Sequence, residues 1–117
     1  MKRTRHPPAA YLANAIECID KASGYAASGA DSFLDNGKTR DAVLRNLEIL
    51  GQCLKDVGIE PLEAAHPDIR WRRIADFRNV LAHEYLGIDD NLVLSIIENQ
   101  LPPVRAALSE YLFKFQR

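Results

Sequence analysis

The sequence predicts an all-α fold, an up-and-down bundle of four to five helices forming a single domain over residues 1–117. Three observations predict it. Apolar residues recur at three- and four-residue spacing in four long stretches, the period of a helix with one buried face. Glycine, proline, Asp and Asn gather between those stretches, where chain reversals belong. No segment shows the sustained alternation of apolar and polar residues that a half-buried strand requires, and no repeat or low-complexity tract interrupts the pattern.

The first helix is predicted over about residues 8–25. Leu12, Ala15, Ile16 and Ile19, with Tyr11 and Ala22, share one face, and "HPPAAY" places proline where a helix can begin without losing a hydrogen bond. "GYAASGADSFLDNGKTR" reads as a connection into which Phe33 and Leu34 tuck. The second helix is expected from about Thr39 to Val57, carrying Val43, Leu47, Leu50 and Leu54 and stopping at Gly58. Gly51 in its middle costs about 1 kcal/mol relative to alanine, which points to a close approach of another helix there. "IEPLEAAHPDI" breaks the pattern twice with proline. Asp68 can cap a third helix starting near Ile69 or Trp71, its buried side formed by Trp71, Ile74, Ala75, Phe77, Val80 and Leu81, with its end at Gly87. "IDDN" offers caps for a fourth helix bearing Leu92, Val93, Ile96, Ile97 and Leu101. Pro102 and Pro103 then force a kink or a restart before Val104, Leu108 and Leu112.

The 117 residues are enough for one domain to bury its own core, and 47% apolar with 26% charged content is that of a folded globular chain. Cys18 and Cys53 fall in apolar helix patterns without paired spacing, as buried thiols of a reducing compartment do. No apolar run approaches the roughly 20 residues of a membrane span, nor does a signal-peptide core follow the basic start, so a cytoplasmic location without membrane contact is expected. With 15 basic residues against 16 acidic ones, the net charge of −1 provides no long-range field for nucleic acid. Any contact with a polyanion must be local. Arg70, Arg72 and Arg73 in "IRWRRI" form such a cluster and are candidate RNA contacts, although a solvated helix face has the same appearance.

Most familiar chemistries lack their residues. "HEYLG" starts like a zinc-protease helix but has no second histidine four residues on, and Asp89 with Asp90 reads as a helix cap, so no metal is expected. Neither a nucleophile elbow nor a phosphate loop is present, and no cofactor is expected. What remains is "RNVLAHEY", residues 78–85. On an ideal helix Arg78 and Tyr85 lie about 20° apart and Asn79 and His83 about 40° apart, so the four can border one groove. Arg78 and His83 lie about 140° apart, so meeting at one phosphate needs the reach of arginine or a loosened helix end. The plainer interpretation is a helix terminus: a solvated Arg78, a His83 cation favourable to the dipole, and a Tyr85 that packs with a wet tip. Spacing alone leaves both open. Chemically, a histidine that exchanges protons near neutral pH and an arginine that stabilises a phosphate in flight suit metal-free RNA cleavage by the 2′-hydroxyl. Such cleavage needs one proton acceptor and one donor, and a two-fold dimer with facing grooves would supply the second histidine.

"WRRIADFRNVLAHEY" resembles the RxxxxHxY signature of the HepT-like branch of the HEPN superfamily, helical proteins encoded beside minimal nucleotidyltransferases as toxin and antitoxin. The similarity continues through "SFLDN", "RDAVLRNLEILGQ", "HPDIRW" and "LGIDDNLVLSIIENQLPPV". The resemblance implies a metal-independent endoribonuclease toxin acting as a homodimer. It assigns the catalytic arginine and histidine to Arg78 and His83, a supporting polar position to Asn79, and the acceptor of AMP from the partner MNT-type nucleotidyltransferase antitoxin to Tyr85. One departure is Gln52 in "LGQCL", where the family commonly carries glutamate after the glycine. Gln52, the near-neutral charge and the lack of a broad basic face motivate a second reading: a non-catalytic helical subunit that binds a nucleotidyltransferase and presents substrate to it. A third, an inert helical scaffold, requires that the groove residues be replaceable without effect on any partner.

Overall fold

A computed structural model describes residues 6–27, 37–83 and 89–116. Its helices are α1 (Pro8–Ala26), α2 (Gly37–Val57), α3 (Ile59–Ala65), α4 (Trp71–His83), α5 (Asp90–Ser95) and α6 (Leu101–Phe115), with a π turn, Ile96–Gln100, joining the last two. No strand occurs among the described residues. The long helices run alternately up and down. Asn14 early in α1 meets Cys53 late in α2, Gly51 late in α2 meets Ala75 and Arg78 in α4, and Asp20 late in α1 meets Arg105 early in α6.

Each helix begins and ends where its residues allow. Pro8 occupies the first turn of α1, after an extended Pro7 whose carbonyl accepts from Ala10 N. Gly58 closes α2 at φ 110°, a left-handed-side conformation that a β-carbon would strain, while its N–H still donates to Leu54 O at 3.0 Å. The two-proline segment expected to be irregular forms the short helix α3. Pro61 sits in its first turn, where the missing N–H has no intrahelical acceptor to lose. Asp68 does not take the capping position. The α4 ladder opens at Arg70, whose carbonyl accepts from Ile74 N at 3.2 Å. Asp89 does cap α5, its Oδ1 accepting from Asn91 N at 2.9 Å and Leu92 N at 3.4 Å. Asp90 beside it accepts from Arg40 Nε at 2.7 Å, in a pair of which both side chains are about four-fifths shielded. The expected restart at the two prolines takes the form of the π turn. Leu101 N reaches back five residues to Ile96 O, which widens the coil immediately before Pro102 and lets α6 begin with both prolines in its first turn. The expected tuck of Phe33 and Leu34 and the expected helix end at Gly87 lie outside the described residues.

The core runs along the facing stripes of α1, α2, α4 and the α5 to α6 rod. Leu12, Ile19, Leu50, Leu54, Leu101 and Leu108 are essentially sealed from solvent. Leu92 departs from the expected pattern. It is 52% exposed, and Leu94 is buried in its place. Leu92 borders an apolar groove with Ile74 and Phe77 of α4, both of which are only partly buried.

Trp71 is the largest fully buried side chain, and its indole N–H donates to His66 O at 3.0 Å, fastening the start of α4 to the end of α3. Trp71→Phe removes that bond, leaving His66 O with the longer bond from Ile69 N at 3.3 Å, and opens a small void. We expect a loss of about 1–3 kcal/mol, measured as a lower urea midpoint with an unchanged slope.

On the surface, Arg105 holds the Asp20 carboxyl below its ordinary value through hydrogen bonds of 2.6 and 3.0 Å. A lowered folded-state value means that this stabilisation is present above the ordinary carboxylate range and is lost as the pH falls through it. Solvent around this half-exposed pair keeps the contribution small. Among the described residues, no helix is long and apolar enough to cross a membrane.

Candidate functional site

The site begins with Gly51. A β-carbon built there would stand 2.8 Å from Arg78 Cβ and 3.1 Å from Ala75 O, so α2 and α4 touch backbone to side-chain root at this point. Only glycine allows that spacing, and the close approach expected from its mid-helix position is present. The contact fixes the root of Arg78 against the middle of the bundle. From there the half-buried Arg78 side chain emerges on the wall of a cleft of about 570 Å³.

Three helices build the cleft. From α1 come Tyr11 and Asn14, from α2 come Arg45, Glu48 and Gln52, and from α4 comes Arg78. Ile49 and Cys53 supply an apolar floor. The helical period explains the α2 set, since Arg45 and Gln52 are seven residues apart and lie within about 20° on an ideal helix. Arg45 Nη1 lies 3.7 Å from Glu48 Oε2, and Gln52 Nε2 donates to Asp56 Oδ1 at 3.2 Å. Asn14 Nδ2 donates to Cys53 Sγ at 3.5 Å. His6 leans edge-on against the Tyr11 ring at 5.9 Å, while its backbone N–H donates to the Tyr11 hydroxyl at 3.0 Å. Two arginines and one glutamate therefore give the cleft a net positive wall.

Of the residues singled out by sequence, Arg78 lies in this cleft and Asn79 flanks it, exposed, with its Oδ1 accepting from Arg78 Nη1 at 3.5 Å. His83 is the last described residue of α4. The backbone stays helical through it, so the separation of about 140° from Arg78 is kept rather than loosened. The His83 side chain and Tyr85 lie outside the described residues. Gln52, the departure from the family pattern, faces the same cleft as Arg78.

The arginine cluster is not brought there. Arg72 pairs with Glu63 at 3.1 Å, and Arg70 and Arg73 border a separate shallow depression beside Asn99 and Pro103. Cys18 and Cys53 are buried and free of disulfide, and burial pushes the Cys18 thiol up, away from a reactive thiolate. Among the described residues no group of three or more His, Cys, Asp or Glu side chains gathers to hold a metal ion. Asp89 and Asp90 are occupied as a helix cap and an ion-pair partner.

Sequence reasoning did not find the cleft contributions of Tyr11, Asn14, Arg45 and Glu48. The signal available was the i, i+3, i+7 spacing of Arg45, Glu48 and Gln52, which marks one polar stripe on α2.

The sequence model of the family described as "Ribonuclease HepT-like" matches residues 15–111. The chain belongs to the HepT-like ribonuclease family. The match covers the cleft residues of α2, the Gly51 contact and the whole of α4. The "Probable ribonuclease HepT" of Thermococcus cleftensis is 31% identical over 105 residues, covering 90% of this chain and 93% of that one. A relative from Caldanaerobacter subterraneus subsp. tengcongensis, named as a "Putative RNase", is 32% identical over 111 residues, covering 92% and 96%. A Methanocaldococcus jannaschii protein with the same style of name is 35% identical over 72 residues, 62% of this chain and 59% of its own. No solved structure matches this chain. Arg78 and His83 lie on the same helix here, the arginine rooted at the glycine contact.

Proposed function

We propose that this HepT-like protein is a metal-independent endoribonuclease, the toxin of a HEPN/MNT toxin and antitoxin pair. The observation that carries the reading is Arg78. In a chain of a ribonuclease family, the signature arginine is rooted at a helix contact and opens into a positively charged cleft large enough for a nucleotide. In the proposed reaction the 2′-hydroxyl attacks the adjacent phosphorus, the 5′-oxygen leaves, and a 2′,3′-cyclic phosphate forms. Arg78 stabilises the charge that builds on the phosphoryl oxygens. His83 takes the 2′-hydroxyl proton or protonates the departing 5′-oxygen. One chain has one such histidine, and it lies about 140° around the helix from Arg78. A homodimer that sets two copies of α4 face to face supplies both proton-transfer groups. Arg70 and Arg73, exposed on another face, would add phosphate contacts that weaken with salt.

The deciding experiment incubates purified wild type, Arg78→Ala and His83→Ala with single-stranded RNA in EDTA. Wild type cleaves and leaves cyclic phosphate ends, while each variant loses at least a hundredfold in rate. Cleavage that stops in EDTA sinks metal independence. Variants as active as wild type sink the site. A wild type that is dimeric and inactive transfers the protein to the role of a non-catalytic subunit presenting substrate to a nucleotidyltransferase.

For Tyr85 the reading is regulatory. Its hydroxyl attacks the α-phosphorus of ATP on the partner nucleotidyltransferase, pyrophosphate leaves, and the AMP ester puts a negative charge and a base next to the RNA site. Incubation with the cognate partner and ATP adds one AMP mass to wild type and none to Tyr85→Phe. Equal modification of both proteins excludes Tyr85 as acceptor.

A further inference from the structure

We infer that the cleft between α1 and α2 is a base-reading subsite, in which Asn14 and Gln52 recognise an adenine of single-stranded RNA while its phosphate lies against Arg78. The inference rests on the ribonuclease reading for the identity of the ligand, and on the cleft itself for the chemistry.

The walls divide by function. At about 570 Å³ the cleft lies within the range that holds small ligands. Its floor is apolar at Ile49 and Cys53, and the Tyr11 ring stands at its side, so one face of a flat heterocycle meets carbon rather than water. Two uncharged carboxamides enter from different helices. Among the described residues, Asn14 spends one N–H on Cys53 Sγ and Gln52 spends one on Asp56 Oδ1. Each keeps a carbonyl oxygen and a second N–H for a ligand. That pairing of acceptor and donor complements an exocyclic amine beside a ring nitrogen, an arrangement that adenine presents on two edges and cytosine on one. Glu48 is drawn to Arg45, which leaves the Arg78 guanidinium as the neighbouring charge available for a phosphate. A base bound in the cleft would therefore place its own phosphate at the residue to which the chemistry is assigned.

The full-length protein is titrated with AMP, GMP, CMP and UMP, following the side-chain amide signals of Asn14 and Gln52 by NMR. AMP binds tightest and shifts both signals. Asn14→Ala and Gln52→Ala each weaken AMP about tenfold and draw the four nucleotides together, whereas Tyr11→Ala weakens all four alike, because stacking does not discriminate between bases. Equal affinities in wild type, or AMP affinity unchanged in both amide variants, overturns the subsite.

A second arm maps cleavage of an unstructured RNA containing all four bases. Wild type cuts beside adenines, and in the amide variants the cuts redistribute over the four bases. If wild type cleaves but its pattern ignores both amides while AMP binding depends on them, the occupant is a free nucleotide and the RNA assignment falls. If wild type cleaves nothing yet binds AMP through the amides, the ribonuclease reading falls and an adenine-nucleotide site stands.

Discussion

Arg78→Ala is expected to cut RNA some 10²–10³-fold more slowly than wild type, the loss that follows removal of one preorganised donor to a developing oxyanion. The same variant keeps the fold. Alanine retains the β-carbon against which Gly51 packs, and the hydrogen bond lost is the long one of 3.5 Å to Asn79 Oδ1. The expected change in stability is within about 0.5 kcal/mol. Arg78→Lys restores only part of the rate, since an ammonium lacks the planar fork that can meet two phosphoryl oxygens at once. Single-turnover cleavage of a labelled RNA, paired with a thermal melt of each variant, separates chemistry from folding. A variant that melts like wild type and cuts like wild type removes Arg78 from the mechanism.

The second large effect is at Gly51. Alanine there gains about 1 kcal/mol of helix propensity. Its methyl would sit 2.8 Å from Arg78 Cβ and 3.1 Å from a backbone oxygen, and neither can swing away as a flexible side-chain tip could. Relief requires α4 to shift, and such overpacking typically costs 1–3 kcal/mol. Gly51→Ala is therefore expected to lower stability by up to about 2 kcal/mol, and Gly51→Val by more. Cleavage should fall at least tenfold even where the protein remains folded, because a small displacement of Arg78 from the phosphate would be enough if it plays the role proposed for it. Gly24 is the internal comparison. It lies in α1 with nothing within 4 Å of a built β-carbon, and Gly24→Ala should stabilise by about 0.5–1 kcal/mol without slowing cleavage. Denaturant midpoints and cleavage rates measured together test both glycines, and a Gly51→Ala protein as stable and active as wild type refutes the role of the contact.

The helices were legible where amphipathic period and punctuation agreed. Prolines marked the start of α1, Gly58 the end of α2, and Asp89 the cap of α5. Pro61 misled because a proline in the first turn of a helix and a proline that breaks one look alike until the neighbouring helix is placed. Leu92 misled because the buried stripe of α5 and the π turn passes through Val93, Ile97 and Leu101, a four-residue step that the wider turn sustains. Arg78 was legible from its spacing to His83. Its cleft was not, since Asn14 stands beside the apolar stripe of α1 with the pattern of a solvated position, and Tyr11 reads as part of that apolar stripe. They become walls of a cleft only when α2 turns its polar stripe toward them. Gln52 was noticed as a departure in family pattern, and the structure gives that departure a location opposite α1.

The Arg40 and Asp90 clasp bears on how the protein responds to ionic strength. It joins the first turn of α2 to the chain just after the segment 84–88 that carries Tyr85, and both of its side chains are largely withdrawn from solvent. Mobile ions screen exposed charges strongly and shielded pairs much less. Contacts between arginines and RNA phosphates, in contrast, weaken steeply as salt displaces them. Raising the salt thus loosens the grip on a polyanion while the Arg40 and Asp90 pair stays fastened, so a salt-induced loss of cleavage would report release of RNA rather than opening of this clasp.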